Sequence, residues 1–364
     1  VCRSNAIVYL AQKKHSSYGR DSYGLLQKSL HLLYQNYLKQ FPHETSVFIF
    51  HEGDFHQPDL KFLDSQLPIH GNLHFVNLTH TDYWQIPHWL ANDDPTKWRG
   101  FKRYSLGYRH MMRWYAIQIW NYFRNLNQQQ GCHYRYIMRL DEESFLESPI
   151  SYNLFDYMAQ NDYVYAYRLC SYELGPGMIV WHKYLETFSE SAPPTPQRNM
   201  VGQGLCGLYN NFFVASLDFM TSPPVQHFLQ YVDQAGFVYR KRVNDLVIHS
   251  LVVYAFAPPS QIHRFLDFSY QHITMAKKCP FWGAFQTGYA DPHGASRLQQ
   301  WLVENTNLHN CTPYDAVHHP NGYRLQEMTQ QDLSPTYAHY PGKFKLFQLA
   351  AGSVELKHKG LASG

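Results

Sequence analysis

The 364-residue chain is short of charge, and it lacks several patterns that would place it quickly. No apolar run approaches the roughly 20 residues needed to cross a bilayer. There is no C-x-x-C pair, so a zinc knuckle or a thioredoxin-like redox motif is disfavoured. No G-x-G-x-x-G follows the first strand-like segment, which argues against a dinucleotide-binding loop. Asp, Glu, Lys and Arg together make up only 16% of the chain, the net charge is +3, and no run of Lys and Arg is long enough to track a phosphate backbone. Bulk nucleic-acid binding is therefore not expected.

What is present is a globular composition rich in aromatic rings. Aromatics account for 16% of residues, with 29 Tyr and 8 Trp, a composition unlike that of a disordered chain. The length suits one large α/β domain or two smaller ones, and no internal repeat or second domain stands out. The 22 His would make the chain much more basic below about pH 6.5. Six dispersed cysteines (Cys2, Cys132, Cys170, Cys206, Cys279 and Cys311) read as disulfide partners, with Cys279 and Cys311 a plausible pair because they flank one local segment. Two glycosylation sequons, Asn77-Leu78-Thr79 and Asn310-Cys311-Thr312, also suit the secretory pathway. A lumenal protein is expected, its membrane contact limited to an N-terminal anchor absent from a chain that begins at Val1.

Hydrophobic patterning predicts an α/β fold. Ala6 to Ala11 reads as a buried strand, followed by an amphipathic helix through Leu25, Leu30 and Tyr37 and a second strand at Val47 to Phe50. This β-α-β opening implies a parallel sheet. Further strands are predicted at His74 to Val76, Tyr163 to Tyr167 and Asn211 to Ala215, with helices over 102–127 and from Asp245 to Phe256. Segments around Pro149, Gly175-Pro176-Gly177 and Pro193 to Pro196 read as surface loops, and 354–364 as a flexible tail after a domain over 1–353.

The most informative stretch is Tyr136 to Glu143, an apolar strand that ends in three carboxylates, Asp141, Glu142 and Glu143. Strand alternation would put Asp141 and Glu143 on one face, where hard oxygens can hold Mg²⁺ or Mn²⁺ against a diphosphate. That is the logic of the D-x-D motif of nucleotide-sugar glycosyltransferases. The other reading is a solvated acidic turn.

With these segments placed, the chain resembles the fungal Golgi α-1,2-mannosyltransferases, the glycolipid 2-α-mannosyltransferase family, from about Ala6 to Thr274. The resemblance is carried by five blocks in order: Gly107 to Trp114, Tyr136 to Phe145, Cys206 to Phe219, Asp245 to Ser250, and Phe268 to His272. It implies a GT-A domain with a mixed, largely parallel sheet flanked by helices. The implied activity is metal-dependent, retaining transfer of a hexose, mannose from GDP-mannose, to a sugar hydroxyl of a glycan or glycoprotein in the Golgi or secretory lumen. It further implies Mn²⁺ (or Mg²⁺) held by Asp141 and His272, with Glu143 beside them, and donor phosphates met by Tyr108 and Arg109, with Arg113 in a similar role. Gln12 and Lys13 stand at the nucleotide loop, where the family has Arg-Asn. Asn210 and Asn211 are expected to contact donor or acceptor hydroxyls. Asp245 is expected to orient the acceptor hydroxyl or take its proton, or else to serve as a helix cap or an ion-pair partner.

Two departures are expected to matter. The Glu proposed in the family as a nucleophile is Phe213 here, so double displacement through that position is excluded. Another acid is lost in Arg240 to Asp245, where the family has Tyr-Glu-Arg-Trp-Gly-Asp. The alternatives are the same fold with a UDP-linked donor, or an inactive glycan-binding scaffold.

Overall fold

Burial along the first two strands is continuous, not alternating. β1 (Asn5–Ala11) and β2 (Thr45–His51) are almost wholly buried, as parallel strands covered on both faces must be. In the computed structural model the described residues are 3–14, 22–41, 45–66, 72–171, 175–188, 207–265, 268, 270–272 and 287–288. Between β1 and β2 runs α1 (Ser22–Leu33), which continues as a wide π turn at Tyr34–Leu38. Next come α2 (Gln57–Gln66), β3 (Leu73–Asn77), α3 (Leu106–Arg113), α4 (Ile119–Gln130) and β4 (Tyr136–Leu140). The remaining elements are β5 (Ser144–Leu146), α5 (Leu154–Gln160), β6 (Tyr165–Ser171), α6 (Gly175–Thr187), β7 (Gly207–Ser216), α7 (Leu217–Met220), α8 (Pro223–Gln234), α9 (Phe237–Lys241), α10 (Asp245–Phe256), β8 (Ile262–Arg264), β9 (Tyr270–His272) and β10 (Thr287–Gly288).

The main sheet has the order β3-β2-β1-β4-β7-β6-β8. Every neighbour pair is parallel except β4 with β7 and β7 with β6, so β7 alone runs backwards. This is the mixed, largely parallel sheet that the family resemblance implies. The strand order reverses between β1 and β4, and in open α/β sheets the crevice beyond the carboxyl ends of such a pair is where ligands bind. Gln12 and Lys13 follow β1, and Asp141 follows β4. A second, three-stranded antiparallel sheet, β10-β9-β5, joins this region.

Local boundaries follow capping chemistry. The long helix expected over 102–127 starts later, at Leu106, because the Ser105 hydroxyl accepts from the Tyr108 N–H. Its middle is a π turn, Trp114–Gln118, and Gly131 ends it in the left-handed conformation (φ 64°). The loop expected at Gly175-Pro176-Gly177 instead opens α6, since proline is tolerated in a helix's first turn. α10 spans the predicted Asp245 to Phe256. Cys132 is buried and disulfide-bonded, in line with an oxidising compartment. Cys2, Cys206, Cys279, Cys311, the second sequon, Pro193 to Pro196 and the tail lie outside the described residues. No helix among the described residues is long and apolar enough to cross a membrane.

Two histidines are built into this frame as neutral groups. His249 on α10 is fully buried; its Nε2–H donates to the Tyr115 carbonyl at 2.9 Å, and Nδ1 takes the Tyr165 hydroxyl at 3.3 Å. Burial pushes its pKa down to about 4. His110, bonded through Nδ1 to the Tyr239 hydroxyl at 2.7 Å, is lowered to about 4 by burial and by the charge of Arg113. Because both folded values lie below the ordinary 6.5, the unfolded chain takes up these protons first as the solution is acidified. Unfolding free energy measured in urea should therefore be highest above about pH 6.5 and fall as the pH is lowered towards 4, and His249→Gln should reduce that slope.

Candidate active site

A charged residue in the middle of an apolar strand needs a reason, and Arg139 has two. On β4 its side chain is 4% exposed. Its Nε and Nη2 donate to the two carboxylate oxygens of Asp141 at 2.9 and 3.3 Å, while Nη1 donates to Asp245 Oδ2 at 2.7 Å. The guanidinium lies 3.3 Å from the Tyr115 ring centroid, and the Tyr115 hydroxyl accepts from the Leu10 N–H at 2.8 Å. Burial favours a neutral guanidine, but Asp141, Tyr115 and Asp245 outweigh it and raise the pKa of Arg139 further. A buried arginine of this kind is held only by paired, hydrogen-bonded acids.

The carboxylates after β4 sit on a turn and not, as alternation would have it, on an extended strand. The Ser144 N–H donates to the Asp141 carbonyl at 3.0 Å, closing a turn over Glu142 and Glu143. β5 begins at Ser144, and its antiparallel partner β9 places His272 directly opposite Ser144. A residue 131 positions later in sequence than Asp141 thus arrives beside the acids. His272 Nε2 lies 3.5 Å from both Asp141 Oδ2 and Glu143 Oε1. Its Nδ1 faces the Tyr209 hydroxyl at 3.2 Å.

β7 contributes through an irregularity. Between the pairs Tyr167↔Phe213 and Leu169↔Tyr209, three residues, Asn210 to Phe212, stand opposite Arg168 alone. Such insertions re-aim side chains beside functional sites. Asn210 Nδ2 donates to Asp245 Oδ2 at 2.8 Å. Asn211 Nδ2 donates to Asp141 Oδ2 and lies 2.8 Å from His272 Nε2. The Ser144 hydroxyl, bonded to the Tyr270 hydroxyl at 2.8 Å, reaches the Asn211 carbonyl at 3.1 Å and ties β7 to the small sheet.

Burial alone would raise the pKa of Asp141, yet the charge and hydrogen bonds of Arg139 and the nearby His272 hold it down to about 2. The site therefore keeps its carboxylate ionised. Among the described residues no group of three or more His, Cys, Asp and Glu side chains stands at metal-cluster spacing. The donor chemistry nevertheless fits a hard divalent ion with an incomplete protein shell. His272 Nε2 stands 3.5 Å from one oxygen of each carboxylate, wider than the roughly 3 Å between neighbouring ligands of an octahedral ion with bonds of about 2.1 Å, so an ion would draw these donors closer together. Positions left open would suit diphosphate oxygens.

The other expected residues divide. Asp245 is in the first turn of α10 and the cap is its neighbour: Asn244 Oδ1 accepts from the Val247 N–H at 3.0 Å. Of the alternatives for Asp245, the ion pair with Arg139 is the one observed, and it leaves Oδ1 clear of both the Arg139 and Asn210 bonds. Lys13 Nζ is held by Asp59 at 2.8 Å, and its N–H donates to Asp54. Gln12 is partly buried after β1.

Tyr108 lies with Tyr104, ring centroids 5.2 Å apart, and 5.9 Å from the Arg242 guanidinium. Arg109 and Arg113, expected at the donor phosphates, are engaged elsewhere. Arg109 is fully buried and donates to the carbonyls of Arg99, Val238 and Tyr239, while Arg113 forms a two-point pair with Asp233 at 2.8 and 2.9 Å. Guanidiniums with these partners tie α3 to α8 and α9. Phe213, at the position of the lost Glu, is fully buried between Tyr165, His249 and Trp120, an apolar setting that would penalise a carboxylate. Arg139 is not among the residues expected from sequence, although the signal was there: one cation in an otherwise apolar strand.

Comparisons with known proteins agree with this architecture. The family model described as glycolipid 2-alpha-mannosyltransferase matches residues 3–289. A Candida albicans protein named probable mannosyltransferase MNT3 is 26% identical over 230 residues, covering 60% of this chain and 59% of its own length. The chain spans little more than half the length of the curated relatives it matches. Among solved structures, mannosyltransferase Ktr4p from Saccharomyces cerevisiae is similar with a TM-score of 0.62 at 22% identity, covering 74% of this chain and 70% of that one. Core-mannan synthase A from Aspergillus fumigatus, in a Mn/GDP form, gives 0.61 at 17% identity, with 74% of each chain covered. At these identities the two structures establish a shared fold.

Arg139 carries the clearest energetic consequence. Arg139→Met leaves the buried Asp245 and the partly buried Asp141 without their shared cation and should lower unfolding free energy by about 3–5 kcal/mol in urea titrations. Arg139→Lys should restore only part of this, because one ammonium cannot fork to both acids.

Proposed function

The chain belongs to the glycolipid 2-alpha-mannosyltransferase family, and from that premise we propose that it is a divalent-metal-dependent glycosyltransferase. It transfers mannose from GDP-mannose to a sugar hydroxyl of a glycan or glycoprotein, with retention of configuration. The observation that carries this reading is the convergence of Asp141, Glu143 and His272 beyond the carboxyl end of β4, next to the loop after β1. Ktr4p in complex with GDP and core-mannan synthase A in its Mn/GDP form lend support, as proteins of the same fold.

Asp141 and His272, with Glu143, would hold Mn²⁺ (or Mg²⁺), which when bound neutralises charge on the departing diphosphate. Gln12 and Lys13 lie where the nucleotide is expected, and Tyr108 remains a candidate for a phosphate hydrogen bond. Arg109 and Arg113 keep a supporting part in this reading, bracing the helix that carries Tyr108. Asp245 Oδ1 accepts a hydrogen bond from the acceptor hydroxyl and orients it, and Asn210 holds Asp245 in place.

Phe213 has no group able to attack carbon, so retention is assigned to front-face substitution. The bond from the anomeric carbon to the diphosphate oxygen breaks as the bond to the acceptor oxygen forms on the same face, and the acceptor proton passes to the departing diphosphate. The disulfide at Cys132, the sequon at Asn77 and the family itself support a secretory-pathway or Golgi lumenal location.

Thermal stabilisation by GDP-, UDP- and CMP-linked sugars, with and without Mn²⁺, tests the proposal. A shift specific to GDP-mannose with Mn²⁺ is expected. A shift with UDP-sugars would reassign the donor, and no shift with any of them would sink the enzymatic reading. In the active protein, Asp141→Ala and His272→Ala should each lower Mn²⁺-dependent turnover by at least about a hundredfold.

A further inference from the structure

The Asn211 amide occupies the place between the two central metal-donor candidates. Its Nδ2 donates to Asp141 Oδ2 and stands 2.8 Å from His272 Nε2. An NH₂ group has two hydrogens, one for each of these acceptors, so the amide does with partial charge what a cation would do in full. The histidine side is consistent: an Nε2 lone pair facing Asn211 leaves Nδ1–H to donate to the Tyr209 hydroxyl at 3.2 Å. This is also the tautomer of a metal-ligating imidazole whose far nitrogen is anchored by a hydrogen bond.

Resting on the metal-dependent reading above, we propose that Asn211 is a further protein ligand of the divalent ion, with its amide serving as a placeholder while the ion is absent. Turning the amide over about its terminal torsion exchanges Nδ2 for Oδ1 with almost no change of shape, and that torsion is broad. Without an ion, the turned-over oxygen would face a carboxylate oxygen and an imidazole lone pair, three acceptors in mutual repulsion. With an ion among them, the same three atoms are a hard, mixed O/N donor set, and Asn carbonyl oxygen is an ordinary ligand for such ions. The ion thus selects the second orientation by its own charge.

The surroundings hold the side chain to this task. The irregularity in β7, with two residues more than its partner strand, aims Asn211 at the turn after β4. The Ser144 hydroxyl fastens the Asn211 carbonyl to the small sheet that bears His272 and that begins directly after Glu143. A contact to a sugar hydroxyl, the role read from sequence, would leave binding of the bare ion unchanged. The two roles are therefore separable.

Mn²⁺ affinity of the full chain, measured from the electron paramagnetic resonance signal of free Mn²⁺ with and without GDP, decides between them. Asn211→Leu keeps the volume and removes the oxygen, and should weaken Mn²⁺ binding tenfold or more, a typical scale for changes around a metal site. Asn211→Asp supplies a charged oxygen in either orientation and should tighten it. Melting curves establish that each variant is folded, and the Asp variant keeps the test decisive should the Leu variant unfold. If the wild type binds Mn²⁺, Asp141→Asn loses it, and both Asn211 variants match the wild type or the Leu variant binds more tightly, the ligand role is overturned while the metal-dependent reading stands. If the wild type fails to bind Mn²⁺ even with GDP, both fall.

Discussion

One buried guanidinium organises the centre of this molecule. Arg139 lies on a central strand, where an unpaired charge could not be tolerated, and it forks between Asp141 on the following turn and Asp245 at the start of α10. The cation therefore fixes the separation of two carboxylates that belong to different parts of the chain and, in the proposed reaction, to opposite partners. It also keeps Asp141 ionised despite burial. Tyr115 completes the cradle from a π turn, an irregularity often found where a helix must present a side chain at an unusual angle.

The second organising device is the small antiparallel sheet. Pairing of β5 with β9 lays His272 against the residue that ends the acidic turn. Both strands are only three residues long, and they gain rigidity from β7 through the Ser144, Tyr270 and Asn211 hydrogen bonds. Histidine and carboxamide are thus delivered to one point by two separate strands, and the carboxylate by the turn that directly follows a third. Sites assembled from rigid elements in this way hold their geometry better than sites on loops.

The replacement of an acid by Phe213 is also intelligible as packing. Its ring stacks on Tyr165 and meets His249 edge-on, in a layer that includes Trp120. His249 is neutral and doubly hydrogen-bonded there. An aromatic side chain at position 213 thus extends an apolar layer at the point where a carboxylate would have needed a partner. The consequence for chemistry is a site left with the carboxyl groups of Asp141, Glu143 and Asp245, two of them already tied to Arg139.

Much of this was legible in the chain itself. The β1–α1–β2 opening, the strand ending in acids and the helix from Asp245 to Phe256 follow from local periodicity, because side-chain direction repeats at fixed intervals along a strand or helix. The mixed sheet and the pairing of Asp141 with a distant histidine came from ordered family blocks, not from periodicity. Tertiary structure alone decided the rest. The carboxylates sit on a turn, since a hydrogen bond from Ser144 to the Asp141 carbonyl outweighs strand alternation. Arg109 and Arg113 turned inward because carbonyls and Asp233 lay within reach on α8, α9 and neighbouring segments, partners that no local pattern reveals. The role of Arg139 likewise depends on two acids, one nearby and one 106 residues away, meeting at a single guanidinium. Periodicity determines which residues are buried; which buried charges find one another is set by the crossing of strands and helices far apart in sequence.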